Sequence, residues 1–109
     1  MKDSSIEMSR NAPPDSLLIR RIRSAIKGVS VDRPTLRVSV AKNTNWEESP
    51  SGDQVLVRWL CWSVLDGDVE IIPAEFEVVS KQTTSEVLAK ELPDIFPDLK
   101  ISVDNVIDV

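Results

Sequence analysis

The feature that most constrains this chain is one long run of strand-forming residues, "VLVRWLCWSVLDGDVEIIPAEFEVV", with a single turn signal near its middle. The run spans 55–79 and is rich in Val, Ile, Trp and Phe, which suit a pleated, half-buried surface. Asp66-Gly67 is a preferred pair for a two-residue type I′ hairpin turn, where both central residues need positive φ. The stretch therefore reads as a β-hairpin, 55–65 paired with 69–79. With that turn Leu65 opposes Asp68, Trp62 opposes Ile71, Leu60 opposes Pro73 and Arg58 opposes Glu75. The last is an opposite-charge pair, which a correct register favours.

Alternation then sorts the side chains by face. One face carries Val55, Val57, Trp59, Cys61, Ile72, Ala74, Phe76 and Val78, with Ser63 and Glu70 near the turn; being nearly all apolar, it is the expected core face. The other carries Leu56, Arg58, Leu60, Trp62, Val64, Val69, Ile71, Pro73, Glu75 and Glu77, and is mixed. On that face Trp62, Leu60, Ile71 and Val64 form an apolar patch, which either a helix or a partner must cover. Two helices packed on the Trp59 side leave the patch to a partner, and Trp is enriched among residues that dominate interface energy. Pro73 donates no ladder hydrogen bond, so its strand is expected to be an edge or to be bulged there.

Flanking segments supply the rest of an α+β domain. A helix is expected over about 15–27, with Asp15 or Ser16 as N-cap and Gly28 as C-cap. Its apolar arc is Leu18, Ile19, Ile22, Ala25 and Ile26; Arg20, Arg21, Arg23 and Lys27 make it basic. Pro34 stops it, and "TLRVSVA" alternates as a half-buried strand with Leu36, Val38 and Val40 on one side. Residues 42–54 read as a polar loop holding Trp46. A second helix is expected over about 84–92, with a capping box of Thr83 and Glu86 and with Pro93 limiting its length. "LKISV" alternates again as a strand. The fold class is thus a small antiparallel sheet of three to four strands with two helices on one face. Residues 1–13 are expected to be a disordered tail and 14–109 a single domain.

The inventory of reactive groups narrows function further. The 109 residues include no His and no Tyr, and one Cys, Cys61. That excludes Ser–His–Asp and Cys–His nucleophile arrangements and every His-containing zinc site. Neither a metal nor a cofactor is implied, and the chain reads as a non-enzyme. Cys61, with nothing basic beside it, reads as a small hydrophobe rather than a reactive thiol. One cysteine makes no internal disulfide, and the chain shows no secretory signal and no apolar run long enough to span a bilayer. An intracellular, cytoplasmic setting away from membranes is the expectation.

Charge is split along the chain. Residues 1–40 hold eight Lys or Arg against four Asp or Glu; residues 41–109 hold five against fourteen, giving a net charge of −5. Three functions follow as expectations. The first is a protein-interaction or assembly module that meets another protein or a second copy through Trp62, Leu60, Ile71, Val64 and Trp46. The second is a nucleic-acid or anionic-surface binder using Arg20, Arg21, Arg23 and Lys27, since phosphates need clustered positive charge. The third is an acidic inhibitor of antitoxin type that mimics a phosphate backbone.

Overall fold

The structure, a computed structural model, describes residues 16–106. Its elements in chain order are α1 (Ser16–Ile26), β1 (Thr35–Ala41), β2 (Asn45–Glu48), β3 (Gln54–Asp66), β4 (Val69–Ser80), α2 (Ser85–Ile95) and β5 (Lys100–Val106). The expected 1–13 tail and the Asp15 cap lie outside the described residues. One sheet of five strands runs in the order β4-β3-β1-β5, with β2 beside the first residues of β3, on the edge that β1 uses further along. This is the expected small α+β architecture with two corrections: there is a fifth strand, and β5 runs parallel to β1. β2 escapes notice because it is short, polar and mostly exposed, so it carries no hydrophobic alternation.

The core forms where two alternating strands fall into step. Leu36 lies opposite Val64, Val38 opposite Trp62 and Val40 opposite Leu60, so the apolar sides of β1 and β3 share one face. Onto that face α1 lays Leu18, Ile19 and Ile22, and α2 lays Leu88 and Leu92, with Phe96 just beyond its end. Trp62 is 3% exposed, and Leu60 and Val64 are equally buried. The expected assignment of faces is therefore inverted: the helices cover the Trp62 face and leave the Trp59 face open.

The hairpin itself differs from expectation at its turn. Asp66 pairs with Val69, so Gly67 and Asp68 are the central residues. Gly67 has φ of +63° and Asp68 has no positive φ, which is the type II′ pattern with glycine first. Two register breaks follow, either side of Val64, so that Trp62 meets Glu75, Leu60 meets Glu77 and Arg58 meets Val79. The expected Arg58–Glu75 pair is not made.

Helix α2 starts one residue later than the capping box implies. Thr84, in extended conformation, is the N-cap, and its hydroxyl accepts from the Val87 backbone N–H at 3.3 Å. The Glu86 carboxyl is held below its ordinary value, first by its own backbone N–H and then by the Ser85 hydroxyl. Thr83 is buried instead, and among the described residues its Oγ1 is a buried side-chain atom without a hydrogen-bond partner. Thr84→Ala is therefore expected to cost about 1 kcal/mol in urea denaturation. Thr83→Val should be neutral or stabilising, since it removes an unpaired buried hydroxyl. The reverse ranking would return the cap to Thr83.

Pro93 does not stop the helix; α2 runs through it to Ile95. Its missing N–H forfeits only the bond to the Ala89 carbonyl, and both residues are exposed, so water can take that carbonyl. The Phe96 N–H then closes the end on the Leu92 carbonyl at 2.8 Å. Gly28, the expected cap of α1, sits in the turn after the helix without a left-handed φ.

Candidate functional site

The face of the 55–79 hairpin that the two helices leave uncovered carries large apolar side chains. Register places Cys61 between Ser39 of β1 and Phe76 of β4, and Trp59 beside Val78. Phe76 is 72% exposed and Val78 48%, while Val55 further along the same side of β3 is also exposed. Trp59 and Cys61 are half-buried. Ser39, Ala41, Trp59, Cys61, Phe76 and Val106 line a shallow hollow of about 190 Å³ on this face. These residues sit together because strands alternate: once Leu60 and Trp62 face the helices, Trp59 and Cys61 must face away.

The setting of Cys61 disfavours its thiolate. Burial pushes its thiol above the usual value, and the carboxylates of Glu70 and Glu75 push it the same way. Both effects work against the nucleophilic form of the side chain. Among the described residues no three His, Cys, Asp or Glu side chains gather as a metal-holding group.

Of the five residues expected to form the interface, four are gathered in or against the core and one lies apart. Trp62, Leu60 and Val64 are core, and Ile71 packs half-buried against it. The Trp62 indole N–H donates to Glu77 Oε2 at 3.3 Å, and Arg21 Nη1 donates to Glu77 Oε1 at 3.2 Å. Glu77 lies on the buried side without harm because both its oxygens are used, and a buried indole N–H finds the acceptor it needs. Trp46 is 63% exposed and sits on β2, opposite Leu56, away from Trp62. Sequence reasoning placed Phe76 and Val78 in the core. Sliding the alternation of β1 against that of β3 would have shown that Ser39 and Arg37 share the Cys61 side.

The basic helix is partly spent within the fold. Arg21 is held by Glu77, and the Arg23 guanidinium lies 5.5 Å from the centre of the Phe96 ring. Arg20 and Lys27 are exposed. Among the described residues no helix is long and apolar enough to cross a membrane. No family model matches the chain, and neither curated proteins nor solved structures offer a match.

Proposed function

We propose that this chain is a protein-interaction module without catalytic chemistry, and that it meets its partner through the open face of the 55–79 hairpin. The observation that carries this reading is the exposure of Phe76 and Val78 beside Trp59 and Cys61, on a sheet face that neither helix covers. A contiguous exposed apolar patch costs solubility, and in soluble proteins such patches mark interaction sites. Aromatic anchors at the centre of a patch supply most of the binding energy of an interface. The interface thus stays on the hairpin but moves to the side opposite Trp62. An intracellular setting suits the single free thiol of Cys61.

Neither charge-based alternative gains from the geometry. Two of the four helix cations are engaged, by Glu77 and by Phe96. The acidic residues are spread over β2, β3, β4, α2 and β5.

The test is a photo-reactive phenylalanine analogue, p-benzoylphenylalanine, placed at position 76 or at position 87 in cells that express the chain. Val87 is an exposed apolar residue on α2, the other side of the molecule. The expected result is a discrete cross-linked protein from position 76 and none from position 87. Equal labelling from both, or none from 76, would sink the reading.

A further inference from the structure

Strand β4 pairs with β3 alone, so among the described residues its other edge has no partner. An unpaired edge is a row of N–H and C=O groups ready to take another strand, and proteins usually blunt it with bulges, proline or charge. Here the proline and the register breaks are confined to one half, and the other half carries only charge. Pro73 and the register breaks near Val64 disturb the segment next to the turn. From Glu75 to Ser80 the pairing with β3 runs without a break. That regular half carries Phe76 and Val78, the most exposed large apolar residues of the docking face, so edge and face meet at the same place.

A second copy is the occupant that the charges select. A two-fold axis normal to the sheet keeps each side chain on its own side, so one residue must oppose itself across the axis. Centring on Glu75 or Glu77 sets two identical carboxylates opposite each other, and centring on Phe76 sets Glu75 against Glu77. Like charges directly opposite are destabilising. Centring on Val79 leaves only 77–81 to pair and calls on Glu77, already held by Arg21 and Trp62. Centring on Val78 avoids all of this. Val78 then meets its own copy on the open side, Phe76 meets Ser80, and Glu75 meets Lys81 twice over.

Lys81 is suited to that role. Arg58 donates to its carbonyl from Nε at 3.2 Å and from Nη2 at 2.8 Å, fixing the backbone just past the strand end. Glu75 and Lys81 are both exposed, and neither side chain is engaged within the fold among the described residues.

We infer that two copies of this chain join antiparallel along β4, with Val78 on the two-fold axis and Glu75 of each copy against Lys81 of the other. The result is one sheet of ten strands whose open faces lie side by side, with Phe76, Val78 and their counterparts forming a single apolar ridge. The inference shares the hairpin with the proposed docking face but rests on the strand edge, so either can fail without the other.

The test is solution mass by light scattering over a concentration series, for the wild type, Glu75→Lys, Lys81→Glu and the two combined. The wild type is expected to be a dimer, each single reversal to weaken it about tenfold, and the combined swap to return it to within about threefold, since both cross-strand pairs are rebuilt with their signs exchanged. A second readout is oxidative cross-linking of Val78→Cys in a Cys61→Ser background. Residues opposed across an antiparallel pair lie within disulfide reach, so a linked dimer should form. Ala74→Cys in the same background should give none.

A wild type that stays monomeric overturns the inference and leaves the docking face to a different protein. A dimer indifferent to both single reversals, or one that the combined swap weakens further, also overturns it. Two open faces stacked on each other would give that indifference, with no linked dimer at position 78.

Discussion

Trp62→Ala is expected to cost about 3–5 kcal/mol of folding stability, and Trp59→Ala no more than about 1–2 kcal/mol. The two tryptophans sit three residues apart on one strand but on opposite sides of the sheet. Trp62 is buried beside Val38 of β1 and beneath α1, so truncation leaves a cavity whose lining side chains lose their contacts outright. Its indole N–H also engages Glu77, and the substitution leaves that half-used carboxylate facing the void. Trp59 has solvent on one side, so the surroundings have no cavity to collapse into. Urea denaturation of both variants, read at constant m-value, is the measurement. Equal losses would mean that the Trp59 face is covered as well, and with it the docking surface would go. Near-native stability of Trp59→Ala is also what makes Phe76 and Val78 usable as probes of association.

The ease of reading the hairpin and the difficulty of reading its face have the same origin. Period-2 alternation shows that 55–65 and 69–79 are strands, because each residue type reports only on its own strand. It does not say which side is buried, and both sides of β3 carry tryptophan. The deciding information lies on β1, whose clean alternation of Leu36, Val38 and Val40 with Thr35, Arg37 and Ser39 leaves one apolar side. Pairing Val38 with Trp62 commits the whole sheet. Glutamates on the helix side of β4 argued the other way, since a buried carboxylate is costly unless it is paired. Glu77 escapes that cost through the Trp62 indole N–H and through Arg21, on a helix 56 residues away in sequence. No local pattern announces such a contact.

The turn shows a smaller version of the same limit. Asp-Gly at 66–67 and Gly-Asp at 67–68 are both acceptable hairpin pairs, and they differ by a shift of register. The shift keeps the same residues together on each face, which is why Trp59, Cys61, Phe76 and Val78 were grouped correctly although their exposure was not. The cross-strand partners do change: Arg58, expected against Glu75, faces Val79 and is free to do something else.

Its replacement role gives the second large effect. Arg58→Met is expected to cost about 2 kcal/mol, because the guanidinium's bonds to backbone carbonyls are charge-assisted. Nη1 donates to the Ala41 carbonyl at 3.0 Å and to the Lys42 carbonyl at 2.8 Å, while Nε and Nη2 take the Lys81 carbonyl. These carbonyls sit on either side of β3. Ala41 and Lys42 stand where β1 ends and the chain bends into β2; Lys81 stands where β4 ends before α2. One side chain therefore pins two chain reversals just past the ends of the β1–β3 and β3–β4 pairing. Arg58→Lys should recover little of the loss, since a single ammonium cannot span both sides as the planar fork does. Hydrogen exchange should locate the damage: faster exchange at 42–44 and 81–83, with Leu36, Val38 and Val40 still protected. A loss under about 0.5 kcal/mol, typical of an ordinary surface site, would mean that the guanidinium does not hold these bends. Loosening at Lys81 also predicts weaker pairing of β4 edges in the Arg58 variants, through backbone disorder rather than any change of charge on Lys81 itself.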